Sequence, residues 1–571
     1  MDGTVAVDGG WVRGREDGGV WEFLGVPYAR APVGPLRWRP PERPEPWSGV
    51  RDATTPGPLA PQVPPAPGAT LPGDPLEQSE DCLHLSIWTP APDSARRPVL
   101  VWVHGGGFTS GSAGRVLYRG QRLAAEGDVV VVNVNYRLGA LGFLAHPALA
   151  SGSRGALASK GAGAGTVAGR GAGAGTITGR GAGAGTITGN WALLDQIAAL
   201  RWVRDHIASF GGDPSNVTVF GESAGAMCLS ALLASPAAHG LFTGAVIQSG
   251  PPYVHSALRA EEAASAFVRE LGMSEVSRAA LEAVPARELV SALAALARHW
   301  TRPGELPQPL LPVVDGTILP APPLEAIARG SAAGVATIVG TNRDEMTFFA
   351  LNDRLAHAMD DAMVRTRIEH SAPCVPADRV VDHYAEVLTR RGEPAGPREL
   401  WVAVGSDLVF RWPSLRLAAA LRAHDPRTFV YLFTWGSPAF DGILGATHAL
   451  EIPFVFGTHT QPGISSFVVG GGIEGGHGSG TGHRGPGNGQ AARVRAAADA
   501  LSDAMRASWL SFARTGDPSN PLVGRWPSWD RERRTTMVFG QTISVEEAPR
   551  NDELAVWEPV APLLPSSVAE L

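Results

Sequence analysis

Six short apolar runs limit how this chain can fold. They lie at 98–103, 129–134, 217–220, 245–248, 336–339 and 428–433. Each is continuous rather than alternating in apolar residues, the pattern of a strand covered on both faces. Between them the spacing turns helical. From Trp191 to Ser209, for example, Leu193, Ile197, Leu200, Val203 and Ile207 fall on one side. Segments 257–300 and 352–425, rich in Ala, Leu, Arg and Glu, also read as largely helical. Strands alternating with helices predict an α/β fold: a mostly parallel, doubly wound central sheet with helices on both faces. Ligands then bind beyond the carboxyl ends of the strands, so residues there carry the most weight.

Three tracts interrupt this pattern. Residues 56–78 are Pro-rich and suit a surface loop. Residues 151–189 hold three near-copies of a ten-residue unit, GAGAGTVAGR, GAGAGTITGR and GAGAGTITGN, the last ending on Asn190. Residues 469–489 form a second Gly-rich tract without a strict period. Neither Gly tract has the apolar surface to offset its chain entropy, so both are expected to be disordered loops. The repeats lack the Asp pattern of calcium-binding β-rolls and the regular apolar positions of a solenoid.

Composition excludes several function classes. A net charge of −7 gives no reason to expect nucleic acid or an anionic membrane as partner. The first residues carry acids where a signal peptide would carry an apolar run, and the 129–134 run is too short to span a bilayer. The expectation is a soluble cytoplasmic protein. Cys82, Cys228 and Cys374 are too few and too scattered for a disulfide framework or a metal cluster. Lys160 is the only lysine, which removes most amine-nucleophile, Schiff-base and phosphate-loop chemistry.

Three strand ends are unusual. The run 217–220 leads straight into Gly221-Glu-Ser-Ala-Gly225, followed by an apolar helical stretch. Glycines at both ends of such a motif permit a tight strand-to-helix turn that exposes the Ser223 hydroxyl. The run 98–103 ends in His104-Gly-Gly-Gly107, whose backbone N–H groups can approach a carbonyl oxygen closely. After 336–339 comes Gly-Thr-Asn-Arg-Asp344-Glu345, where either carboxylate could orient a histidine. The histidines that follow are His357, His370, His383, His424, His448, His459, His477 and His483. His448, on a loop after the 428–433 run, is the best placed.

These motifs resemble the type-B carboxylesterase family of the α/β-hydrolase superfamily, the group with bacterial para-nitrobenzyl esterases and animal cholinesterases. The long serine signature reads from Phe210 to Gly225, and a second, Glu80-Asp-Cys-Leu-His-Leu-Ser-Ile-Trp88, departs only at His84. Phe23-Leu-Gly-Val-Pro-Tyr-Ala29, Asn135-Tyr-Arg-Leu-Gly139 and Thr515-Gly-Asp-Pro518 fit too.

The resemblance implies one α/β-hydrolase domain over 1–571, with helical insertions around the active site and the Gly tracts as extra loops. It implies Ser223 as nucleophile, His448 as base and Glu345 as acid, with oxyanion-hole N–H groups from Gly106, Gly107 and Ala224. It implies a small-molecule ester as substrate, an acyl-enzyme intermediate, no cofactor and no metal; it assigns no oligomeric state. The same triad also serves carbamates, thioesters or lactones, and the fold has non-catalytic binding relatives. Buried ion pairs Arg37–Glu80 and Arg137–Asp195 are implied as well. Two departures stand out in the stretch from Gly57 to Gln62: it has neither a cysteine to pair with Cys82 nor the tryptophan with which cholinesterases hold a quaternary ammonium. A cholinesterase reading is disfavoured.

Overall fold

The computed structural model describes residues 3–65, 70–150, 189–300, 308–353, 358–470 and 488–560. Apart from their ends, the tracts at 151–189 and 469–489 lie outside the described residues, and so does the expectation that they are loops.

The described strands are β1 (Thr4–Val7), β2 (Gly10–Arg13), β3 (Arg15–Asp17), β4 (Val20–Pro27), β5 (Val50–Asp52), β6 (His84–Thr89), β7 (Arg97–Val103), β8 (Val130–Val134), β9 (Gly212–Glu222), β10 (Gly244–Gln248), β11 (Ala336–Asn342), β12 (Thr428–Phe433), β13 (Thr535–Phe539) and β14 (Ile543–Glu547). β1, β2 and β5 make a small sheet; the others form one 11-stranded sheet, in the order β14-β13-β12-β11-β10-β9-β7-β8-β6-β4-β3. From β8 through β7 and β9 to β13 every pairing is parallel. Antiparallel pairings attach β14 at one edge and β6, β4 and β3 at the other.

Successive residues of the central strands point to opposite faces. Val99, Val101, Val103, Val217, Val219, Ala245 and Ile247 join one core with helices Trp191–His206 and Ala224–Ala234. Leu100, Trp102, Phe220, Val246, Ile338 and Tyr431 join another with helix Asn488–Thr515. With both faces covered, every position of β8, β10, β11 and β12 is buried, which is why these strands read as unbroken apolar runs.

The structure also corrects details. β9 extends well before the 217–220 run, because its backbone ladder to β7 continues back to an Arg97–Gly212 pairing beyond the apolar core. β4, β6, β13 and the short edge strands have no counterpart among the six runs. The segments read as helical hold Ala257–Glu270, Arg278–Ala283 and Ala286–Trp300, then Asp361–Ser371, Ala377–Arg390, Pro397–Gly405 and Trp412–Arg422. A π-helical turn, Ser406–Arg411, joins the last two. Among the described residues no helix is long and apolar enough to cross a membrane.

The topology selects one place for chemistry. β7 and β9 are neighbours, yet β7 leads to β8 on one side while β9 leads to β10 on the other. Connections diverging from adjacent strands leave a crevice at their carboxyl ends. His104 follows β7 there, and Ser223 follows β9.

Candidate active site

Ser223 sits on a strained turn, at φ 54° and ψ −128°, between β9 and helix Ala224–Ala234. Such a conformation is costly for a residue with a side chain and persists only where its surroundings enforce it. Here β7 does so: a Cβ on Gly225 would lie 2.1 Å from the Val103 carbonyl oxygen. From Val217 to Ala234, Ser223 is the one residue not buried. Its own N–H is taken by the Gln248 carbonyl at 2.9 Å, and its carbonyl accepts from Met227 at 2.8 Å. The N–H of Ala224 then lies in the first turn of the helix, where N–H groups have no intrahelical partner.

The glycine loop after β7 lies directly against this turn. A Cβ on Gly105 would fall 3.1 Å from the Ser223 Cβ. Gly106 and Gly107 follow at φ +116° and +59°, conformations that favour glycine. Hydrogen bonds from Thr109 and Ser110 to the Gly106 carbonyl close the loop, and Gly139 donates to the Phe108 carbonyl. Behind it, the His104 ring stacks on Tyr136, whose hydroxyl donates to the His104 carbonyl.

The two adjacent acids are separated by geometry. Glu345 is fully buried, and its Oε1 accepts from the Asn342 N–H at 2.8 Å and the Ser249 hydroxyl at 2.6 Å. Its Oε2 stands 2.6 Å from His448 Nδ1. Asp344 instead pairs with Arg343 and accepts from the Ala446 N–H at 2.7 Å, tying down the loop that carries His448.

His448 is buried among Phe349, Phe410 and Phe348, at ring-centroid distances of 5.3, 5.0 and 6.2 Å. Its Nε2 lies 3.0 Å from Glu222 Oε1, in the residue just before Ser223. Among the described residues no hydrogen bond joins the Ser223 hydroxyl to His448. The other histidines serve elsewhere: His370 bonds the Thr366 carbonyl, His383 that of Asp552, His424 that of Ala328, and His459 pairs with Asp499. His357, His477 and His483 lie outside the described residues.

The electrostatics are dominated by acids. Burial alone would lower the His448 pKa, but the carboxylates of Glu222, Glu345 and Glu451 outweigh it and push it up to about 9. Burial raises Glu222 to about 8, against the pull of His448 and with help from Glu451 and Glu345. Glu451 is itself raised by burial and by Glu345, though it accepts from Asn342 and Gln248. An imidazole so held can take a proton from a nucleophile and store it as a stabilised cation.

Glu222, Ser249, Glu451 and Phe410 are the site residues that motif reading missed. Ser249 follows directly on the carboxyl end of β10, where the strand-end rule could have found it. Phe410 lies in the π-helical turn inside a helical segment and left no signal.

A family model described as the carboxylesterase family matches residues 1–156 and 180–468. The para-nitrobenzyl esterase of Bacillus subtilis (strain 168) is 34% identical over 550 residues, covering 96% of this chain and 97% of that protein. The phenmedipham hydrolase of Pseudarthrobacter oxydans is 33% identical over 538 residues, covering 91% and 92%. Among solved structures, a Geobacillus stearothermophilus carboxylesterase superposes with a TM-score of 0.77 at 35% identity, over 97% of this chain and 100% of that one. A para-nitrobenzyl esterase structure gives 0.76 at 32% identity, over 97% and 99%.

Proposed function

The chain belongs to the carboxylesterase family and is a carboxylic ester hydrolase with the α/β-hydrolase fold, and on that premise we propose that Ser223, His448 and Glu345 perform the reaction. His448 takes the Ser223 proton as the hydroxyl oxygen attacks the ester carbonyl carbon. The N–H groups of Gly106, Gly107 and Ala224 hold the resulting oxyanion. His448 then gives its proton to the leaving alcohol, which departs and leaves an acyl-enzyme. Water, deprotonated by the same imidazole, attacks the acyl carbon and releases the acid, restoring Ser223. Throughout, Glu345 orients the ring and stabilises its cationic form.

The observation that carries this reading is the buried contact of 2.6 Å from Glu345 to His448 Nδ1, with Nε2 turned to the Glu222–Ser223 turn. The test is direct. The purified protein should hydrolyse short-chain para-nitrophenyl esters, and an organophosphate should block it by modifying Ser223. Ser223→Ala should lower turnover by about three orders of magnitude or more. Full activity in that variant would remove Ser223 from the mechanism.

A further inference from the structure

Helix Trp412–Arg422 buries Leu417, Ala418 and Leu421 in the core and leaves another face only half covered. On that face Trp412, Leu415, Arg416, Ala419 and Ala420 follow helical spacing and line a surface groove of about 610 Å³. Leu324 and Ala328, one turn apart on helix Pro323–Ala328, form a second wall, and Trp529 adds further apolar surface. The groove lies at the amino end of β12, away from Ser223. There the Trp529 N–H donates to the Thr428 carbonyl at 2.7 Å, and Arg422 Nε donates to the Trp529 carbonyl at 2.9 Å.

The charge of the groove is one-sided. Arg416, Arg531 and Arg534 border it against a single acid, Glu558, which pairs with Arg534 at 2.6 Å. Arg531 is exposed and has no ion pair among the described residues. An occupant that complements this surface is apolar along its length and carries a negative charge.

The chain itself supplies one. Glu558, on the groove, is two residues from Val560, the last described residue, whose N–H donates to the Trp557 carbonyl at 3.1 Å. Beyond it the sequence continues APLLPSSVAEL over 561–571. Leu563, Leu564 and Val568 are apolar, and Glu570 is the only charged side chain. Prolines at 562 and 565 narrow the backbone choices open to the free segment, which lowers the entropy lost on docking. Fully extended, 561–570 spans about 33 Å, whereas helix Trp412–Arg422 is about 16 Å long, so the segment can follow the whole groove.

We propose that residues 561–571 dock in this groove of their own chain. Leu563, Leu564 and Val568 pack on its apolar walls, and Glu570 pairs with Arg531. The segment then straps together two helices and the turn before β13, elements far apart in sequence.

Hydrogen–deuterium exchange of the full chain, read by mass spectrometry on peptides covering 563–571, tests it. These amides should exchange at least about tenfold more slowly than in a free peptide of the same sequence. Arg531→Glu should reduce that protection about threefold, as for one exposed ion pair, and adding Glu570→Arg should restore it. Ala420→Trp, which fills the groove, should abolish it in a protein that melts like wild type. Exchange at the rate of the free peptide overturns the docking. Protection unchanged by Ala420→Trp places the segment elsewhere and overturns the groove as its site. Loss in Arg531→Glu without rescue by Glu570→Arg overturns the pairing. Protection that rises with protein concentration assigns the groove to a second copy's segment and overturns docking within one chain.

Discussion

His448 is placed between two carboxylates, Glu345 at 2.6 Å from Nδ1 and Glu222 at 3.0 Å from Nε2. As a base it must be neutral, and an isolated histidine loses its proton near pH 6.5. Here burial, which favours the neutral ring, is outweighed by the acids, and the pKa rises to about 9. On the proposed mechanism, kcat/KM of the wild type should therefore still be rising above pH 7, since more enzyme then holds an unprotonated imidazole. Glu222→Gln removes one of the raising charges, so the imidazolium is less favoured and the midpoint of the profile should move down by about one unit. A pH profile of kcat/KM for both proteins decides it; coincident midpoints would mean that Glu222 does not act on His448.

At the scale of elements, the connection after β8 is fastened to helix Trp191–His206 by one buried ion pair. Arg137 reaches Asp195 at 2.6 Å, with side-chain exposures of 2% and 0%, and its backbone N–H donates to the same carboxylate. Arg37 and Glu80 form the other pair that the family resemblance implied, and Arg37 also bonds the carbonyls of Glu282 and Val284. Removing one partner of a buried pair leaves a charge without compensation, at a cost of about 3–5 kcal/mol. Asp195→Ala should lose about that much stability in thermal or denaturant unfolding. Asp205→Ala, whose carboxylate pairs on the surface with Arg204, should stay within about 0.5 kcal/mol. Equal melting temperatures for the two variants would contradict a structural role for the Arg137 pair.

For the whole molecule, we propose that 151–189 is an insertion in one domain that the fold tolerates rather than uses. The family match itself leaves out 157–179. The described residues on either side are held independently of the tract: Arg278 donates to the Leu149 carbonyl, and Asn190 grips Val313. Loop closure changes by only about 0.6 kcal/mol per doubling of length. Deleting 161–180, two whole units, should leave ester hydrolysis within about threefold and stability within about 1 kcal/mol. Lost activity in a deletion variant that melts like wild type would show that the repeat takes part.

The sequence by itself determined what depends on neighbours along the chain. Continuous apolar runs specified buried parallel strands, and Gly221-Glu-Ser-Ala-Gly225 specified an exposed serine on a tight turn, because periodicity and turn chemistry are local properties. It left Asp344 and Glu345 equivalent, and His448 as one histidine among several, until a family resemblance chose between them. Only the tertiary structure separates them physically. β11 and β12 pair in parallel register, Asn342 opposite Phe433, so the loops beyond their carboxyl ends meet. That meeting puts Glu345 against a histidine 103 positions away and turns Asp344 to Arg343 and Ala446 instead. The same packing delivers Phe410 and Glu222 to His448 from two further stretches of chain, a convergence to which no spacing along the sequence corresponds.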